Sequence, residues 1–364
     1  MRMNATCFSA TKPSPQRDIE MSKCNFTING TRIGANFGDT LVDAGIGGRI
    51  LIPHDCCSGQ CETCRVTVAS GTVDDQGTAE GNTVLACQAT IVGDAFITFD
   101  DVPVVSKQSG IVSTIRALSP QVLEVIIRLA RPFEYLPGQY VSLAFRGFPA
   151  RDYSPTVRMN GDCNEGELVF HIKRLPDGAV SGQLGTGIQA GHRVQIRGPF
   201  GQAFLRDVNS GGVLILVSSG TGWAPIWSMA RAACQAGMQR NMIVVAGARD
   251  MANLYMRSAL DWLVGNGVAE VIATSRIGQG DRILPGQPEH YLPLLGHNDI
   301  VHVAGAPRFV NTVKRKARNA ATRCYADPFL PGQQAPSLAS RIFRRVRPTA
   351  GIRPRPAQPL EAAE

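Results

Sequence analysis

Five of the chain's ten cysteines, Cys56, Cys57, Cys61, Cys64 and Cys87, fall within 32 residues. The segment from Asp55 to Cys64 reads DCCSGQCETC, a C-x4-C-x2-C spacing, and one further cysteine follows at 87. Two irons bridged by two sulfides need four thiolates. Three from one tight loop and a fourth from a distance suit a [2Fe–2S] cluster on Cys56, Cys61, Cys64 and Cys87. Gly59 permits backbone conformations that turn amides toward the cluster's sulfurs. Four thiolates would also hold zinc, but structural zinc usually pairs two C-x2-C knuckles, and this stretch has one. The pattern can also be read from Cys57 as C-x3-C; the x4 spacing favours Cys56 as ligand and Cys57 as a neighbouring thiol. Cys7, Cys24, Cys163, Cys234 and Cys324 are scattered and read as small buried or surface thiols.

Two further groups of residues suit nucleotide chemistry. Arg151-Asp-Tyr153-Ser154 places a cation, an aromatic ring and a hydroxyl on one extended stretch. A flavin needs these three: a charge for its phosphates, a surface against its ring and a hydrogen bond near N5. Gly178-Ala-Val-Ser181 then reads as a helix start whose amides and hydroxyl suit a pyrophosphate. Gly220-Thr221-Gly222-Trp-Ala224-Pro225 follows the apolar run VLILVSS and precedes a helical pattern. In that context glycines let backbone approach a pyrophosphate, and a helix N-terminus stabilises its charge.

The elements that must position these groups fall into three blocks. From Cys24 to about Val104, short alternating stretches with Gly-rich turns predict strands. From Val105 to about Arg206, runs such as VLEVIIRL, QYVSLAF, ELVFHIK and HRVQIRG predict a small antiparallel barrel or sandwich. From Gly212, strand and helix alternate: VLILVSS, PIWSMARAACQAG, MIVVAGA, NLYMRSALDWLVG, EVIATS, DIVHVAG and FVNTVKRKARNAA. That alternation predicts a parallel sheet covered by helices.

The first block resembles plant-type [2Fe–2S] ferredoxin domains over residues 21–104, through Asp39-Thr-Leu-Val-Asp-Ala-Gly45, Ile52-Pro-His-Asp-Cys56 and Val84-Leu-Ala-Cys87-Gln88. The 22 residues between Cys64 and Cys87 are fewer than is usual there. The remainder resembles the ferredoxin reductase superfamily. Arg151-x-Tyr-Ser and Gly178-x-x-Ser181 match its flavin signatures, joined by His171-Ile-Lys173 and Gly198-Pro-Phe-Gly201, and Gly220 to Pro225 matches its nicotinamide loop. Ala246-Gly-Ala-Arg249, Leu254-Tyr255 and Ala304-Gly305-Ala-Pro307 match too, with Ala304 where the family often carries cysteine. Asp327-Pro-Phe329 resembles the late aromatic segment near the flavin, and Thr274-Ser275-Arg276 the 2′-phosphate site of NADP-dependent relatives.

Taken together, the whole is similar to reductase components of multicomponent bacterial, Rieske-type ring-hydroxylating oxygenases. The resemblance implies an α+β and α/β multidomain chain. A β-grasp ferredoxin domain would span 21–104, an antiparallel β-barrel FAD domain 105–207 and a Rossmann-like nicotinamide domain 208–332, with disordered tails at 1–20 and 333–364. It implies hydride transfer from NADH or NADPH to FAD, then single electrons to the cluster and on to a terminal oxygenase or an intermediate ferredoxin. Ser154, Tyr153 and Phe329 would serve the flavin chemistry. Rival readings are the reductase of a diiron hydroxylase or cytochrome system, and a redox-responsive binding subunit without nicotinamide turnover.

Composition limits the remaining classes. Hydrophobic residues make up 44% and charged residues 18%, as in a globular protein rather than a disordered one. The formal charge of +8 is split: residues 21–104 carry 4 Lys/Arg against 10 Asp/Glu, and the rest is strongly basic. Such asymmetry speaks against a uniform nucleic-acid surface and for differently charged modules. An acidic ferredoxin module would favour a basic docking patch on its acceptor. No apolar run approaches the ~20 residues of a membrane span, and the N-terminus lacks the apolar core of a secretory signal, which predicts a cytoplasmic chain with Met21 as an alternative start.

Overall fold

The computed structural model describes residues 23–59, 62–162, 164–208, 210–278 and 280–329. Both predicted tails, Cys61 and Cys163 lie outside the described residues. No helix among the described residues is long and apolar enough to cross a membrane.

The first sheet opens with a hairpin of β1 (Lys23–Ile28) and β2 (Thr31–Asn36). Asn29 and Gly30 turn between them at φ 46° and 83°, the left-handed pair that a two-residue hairpin requires and that this dipeptide adopts readily. Helix α1 (Leu41–Gly47) starts at Thr40, whose hydroxyl accepts the Asp43 amide at 3.0 Å. β3 (Arg65–Asp74), β4 (Thr83–Leu85) and β5 (Thr90–Thr98) complete the order β2-β1-β5-β3-β4, with β1 and β5 parallel. Phe26, Ile28, Leu41, Ile52, Ile91 and Ile97 form its fully buried core.

The second sheet is antiparallel throughout: β6 (Ser106–Ala117), β7 (Val122–Leu129), β8 (Tyr140–Phe145), β9 (Arg151–Tyr153), β10 (Glu167–Lys173) and β11 (Arg193–Phe200). Its order is β10-β7-β6-β11-β8-β9. The two edges meet where Thr156, just past β9, donates its amide to the Val169 carbonyl of β10 at 2.8 Å. The sheet thus curls into a half-barrel around Val125, Ile127, Val141, Leu143, Phe145 and Phe170.

In the third sheet β12 (Leu214–Ser219), α2 (Trp223–Gln235), β13 (Met242–Asp250), α3 (Arg257–Gly265), β14 (Glu270–Ile277), β15 (Ile283–Pro285), β16 (Ile300–Gly305), α4 (Pro307–Asn319) and β17 (Arg323–Pro328) follow in turn. All strands are parallel in the order β15-β14-β13-β12-β16-β17, so the winding direction reverses between β12 and β16. β12 and β16 are apolar runs because helices cover both faces. All three tryptophans lie on one face: Trp223 stacks on Trp227 at 5.7 Å, Trp262 of α3 meets Trp227 edge-on, and the Arg231 guanidinium sits 3.9 Å over Trp262. The helix expected from Asn253 begins at Arg257, because Asp250 caps a separate 3-10 turn at Met251–Asn253. Strand β17 escapes the pattern reading since its four middle residues are all half-covered between exposed ends, without alternation.

Candidate functional site

The loop after Ile52 carries Cys56 and Cys57 in different orientations. The Ser58 amide donates to Cys56 Sγ at 3.4 Å, whereas the Cys57 thiol turns back to the Asp55 carbonyl at 3.7 Å. Gln88 Nε2 lies 3.5 Å from Cys87 Sγ and donates to the Cys57 carbonyl at 3.1 Å, tying the fourth cysteine to the loop. Contact with the Cys64 thiol first, then Gln88 and the Gly59 amide, pull the Cys87 thiol well below its ordinary range against the opposing effect of burial. Gly59 supplies that amide at φ 75°, a conformation side chains resist. Among the described residues no three ligands converge as tightly as a metal centre needs. With Cys61 outside them, the donor chemistry of Cys56, Cys64 and Cys87 and the amides turned on their sulfurs are what fit a thiolate-held cluster.

The second group sits at the end of β9. Tyr153 pairs with Val141 of β8, and its ring meets Phe170 edge-on at 6.5 Å. Burial pushes its phenol up to about 12, so it is a neutral surface at physiological pH. Ser154 is buried and donates to Asp327 Oδ2 at 3.3 Å, a bond from barrel to parallel sheet. Arg151 is half-buried with Nη1 on its neighbour's carbonyl, and Lys173 is exposed at the end of β10. His171 is buried against Tyr255, ring edge to ring face, with Nδ1 3.5 Å from the phenol oxygen. Desolvation, helped by the Arg116 charge, lowers its imidazole to about 3, so it is neutral. The helix expected at Gly178 is a single 3-10 turn, Ser181–Gln183, because Ser181 Oγ accepts the Leu175 amide at 3.4 Å and holds the chain in a tight loop. His171 Nε2 and Thr156 Oγ1 are buried without partners within the chain. Orphaned polar atoms of this kind around Tyr153 and Ser154 fit a group that brings its own donors and acceptors.

The third group lies where the winding of the parallel sheet reverses, the usual ligand crevice of such sheets. Gly220–Gly222 form a 3-10 turn leading into α2, whose first turn has no side-chain cap. A Cβ on Gly222 would stand 2.0 Å from the Ala304 carbonyl, so glycine there lets the loop press against the end of β16. Gly305 stands opposite at φ 141°, its Cβ position 2.7 Å from the Ser219 carbonyl. Ala224 and Pro225 are buried in the start of α2, Thr221 is half-buried, and Pro307 opens α4 at its first turn. Phe329 donates its amide to the Gly305 carbonyl at 2.8 Å, and Asp327 pairs in register with Ala304. Ser154, Asp327, Phe329, Gly305 and Gly222 thereby form one neighbourhood. Uncapped amides beside glycine backbone fit a dinucleotide's phosphates.

Two results depart from the sequence reading. Ser275 is fully buried and its hydroxyl donates to the Ile277 carbonyl at 2.7 Å. That leaves it acceptor capacity alone, the wrong polarity for a phosphate. Arg276 is exposed near the end of β14. Asp327 belongs to the Asp327-Pro-Phe329 segment, in which the sequence gives a role to the aromatic alone; the bond from Ser154 gives one to the acid. Desolvation raises its carboxyl to about 7, with the Asp152 charge adding and the Ser154 bond opposing. Folded, the group holds its proton up to neutrality; unfolded, it ionises near pH ~4. Its contribution to stability is therefore full below that value and is lost as pH rises toward 7. We expect the melting temperature of Asp327→Asn to fall less between pH 5 and 7.5 than that of the unaltered chain; parallel slopes would show the carboxyl ionised throughout.

Three family models match in chain order: a 2Fe–2S iron–sulfur cluster binding domain over residues 26–92, an oxidoreductase FAD-binding domain over 109–204 and an oxidoreductase NAD-binding domain over 216–315. The ferredoxin–NAD(P)+ reductase component of the naphthalene 1,2-dioxygenase system of Pseudomonas putida is 32% identical over 82% of this chain and 94% of that protein. The chain belongs to this reductase family. It is an NAD(P)H-dependent iron–sulfur flavoprotein oxidoreductase, and its cofactors are a [2Fe–2S] cluster, FAD and a nicotinamide dinucleotide. The reductase subunit of an aromatic O-demethylase of Amycolatopsis sp. is 32% identical over 63% of this chain and 73% of that protein. Among solved structures, the Amycolatopsis cytochrome P450 reductase GcoB superposes with a TM-score of 0.61, 25% identity, and coverage of 85% of this chain and 99% of that one.

Proposed function

We propose that this reductase serves an aromatic-ring dioxygenase, delivering electrons to its terminal oxygenase or to an intermediate ferredoxin. The cofactors supply the redox chemistry: FAD takes the hydride of the reduced nicotinamide with its two electrons, and the cluster hands them on singly. The chain's own residues position these groups. The Gly220–Gly222 turn and the first amides of α2 hold the dinucleotide's phosphates. Tyr153 would support the flavin ring, Arg151 and the Gly178–Ser181 turn would hold its phosphates, and the Ser154 hydroxyl would hydrogen-bond near N5. Burial raises the Asp327 carboxyl beside Ser154 to about 7, so it gives up its proton near neutrality. Phe329 covers the site from the end of β17. Cys56, Cys61, Cys64 and Cys87 hold the cluster.

The observation that carries this reading is the likeness to the naphthalene dioxygenase reductase component, which spans nearly all of that protein and every one of the three modules. Supply to a cytochrome P450 is the second reading, supported by the O-demethylase and P450 reductase likenesses. Anaerobic NADH should bleach the flavin and then the cluster of the purified protein. Mixed with a Rieske-type dioxygenase, a naphthalene-like hydrocarbon and NADH, it should yield the cis-dihydrodiol; turnover with a P450 alone would select the second reading.

A further inference from the structure

We infer that Arg197, Gln202 and Arg206 are positioning residues that clamp the cluster loop to the flavin-bearing end of the half-barrel and so set the rate at which electrons cross between them. The inference rests on the electron-transfer reading above. The cluster loop is held on two sides. Asp55, next to Cys56, pairs with the Arg197 guanidinium of β11 at 2.5 Å. Thr63, next to Cys64 and buried, gives its carbonyl to Gln202 Nε2 at 2.9 Å and its hydroxyl oxygen to the Gly201 amide at 3.5 Å.

Gln202 is itself oriented. Arg206 Nη2 donates to the Gln202 carbonyl at 3.1 Å and lies 3.4 Å from its side-chain oxygen, which leaves the amide nitrogen directed at Thr63. The same guanidinium binds Asp100 at 2.6 Å and lies 4.0 Å over the Phe204 ring and 4.2 Å over Tyr325 of β17. Arg206 therefore touches all three modules. A third ion pair, Lys314 of α4 with Glu80, joins the parallel sheet to the ferredoxin module at 3.4 Å.

The register links this clamp to the flavin residues. Gly201 follows Phe200, which pairs with Tyr140 of β8; Tyr140 precedes Val141, the partner of Tyr153. One β-strand thus separates the Thr63 contact from Tyr153 and Ser154. In all three ion pairs the acid belongs to the ferredoxin module and the base to the remainder. The charge split seen in the sequence is used within the chain, on Asp55, Glu80 and Asp100, before any acceptor arrives. Such half-exposed pairs add little stability but fix orientation. Each crossing oxidises the flavin by one electron and reduces the cluster by one. Two crossings drain what one hydride delivered, the flavin's protons pass to solvent, and the acceptor reoxidises the cluster between them. Tunnelling falls steeply with distance, so a loosened clamp slows crossing without touching hydride transfer.

The test uses the full holoprotein and its Gln202→Ala and Arg206→Met variants, mixed anaerobically with NADH. Flavin bleaching should keep its rate, cluster reduction should slow at least tenfold, and hydrogen exchange of the 197–206 and 62–65 segments should rise. Lys314→Glu should loosen the module likewise, and adding Glu80→Lys should restore it. If Arg206→Met fails to load its cluster, Gln202→Ala, which removes one amide donor, makes the same comparison. Cluster reduction and exchange unchanged in variants whose flavin bleaches normally would overturn the clamp. Failure of NADH to bleach the flavin of the unaltered protein would instead overturn the function it rests on.

Discussion

Cys56→Ser will purify without the visible absorption of an iron–sulfur cluster, while Cys57→Ser will keep it. The two neighbours differ in orientation: Cys56 Sγ receives the Ser58 amide, and Cys57, exposed at φ 49°, directs its thiol to the Asp55 carbonyl. Losing one of four thiolates forfeits the centre, since the remaining ligands leave one iron incompletely held. The flavin should be retained in both variants, because Tyr153, Ser154 and the Gly178–Ser181 turn are remote from the exchanged sulfur in sequence and lie on another sheet. Absorption spectra with iron and flavin assays on both proteins decide it. Equal cluster loss in the two would show that the loop is read from the wrong cysteine.

Gly222→Ala should lower kcat/KM for NADH about a hundredfold while flavin content stays full. The added methyl meets backbone, the Ala304 carbonyl at 2.0 Å and the Gly305 nitrogen at 2.7 Å, so no side chain can swing aside. Either β16 or the Gly220 turn must move, and displacement of about 1 Å at a positioning loop costs rates of this order. Gly220→Ala is the informative control. It carries a left-handed φ of 59° but has nothing within 4 Å of its Cβ position, so it should cost only conformational strain of about 1 kcal/mol. Ferricyanide reduction with NADH measures both. A Gly222→Ala protein within about threefold of the unaltered one would remove the close approach from the binding site.

These two cases also show what was legible in the chain before its structure. Cysteine spacing and the Gly-Thr-Gly turn are local, so they mark a loop and a strand-to-helix junction from a few residues. The apolar runs of β12 and β16 are equally local, since a strand buried on both faces needs no alternation. The acid facing Ser154 lies 173 residues away, and the Asp-Pro-Phe segment that carries it points to its aromatic residue, not to that contact. The Thr63–Gln202 contact spans 139 residues and is polar on both sides, which in sequence looks like two ordinary loops. Ser275 misleads for the same reason: a Ser-Arg pair reads as a phosphate site until the Ile277 carbonyl is seen to take its hydroxyl.

The tryptophan cluster has a practical consequence for spectroscopy. Trp223, Trp227 and Trp262 are the chain's whole complement, and all three sit in the nicotinamide domain. Intrinsic fluorescence is therefore silent about the ferredoxin module. The Trp227 indole also donates to the Arg158 carbonyl of the half-barrel at 3.0 Å, which places one emitter on the seam between domains. A denaturation curve followed by emission records the parting of that seam and the melting of α2 and α3, while cluster bleaching in the same sample follows the ferredoxin module. The two signals, read together, make domain-by-domain unfolding visible without any added label.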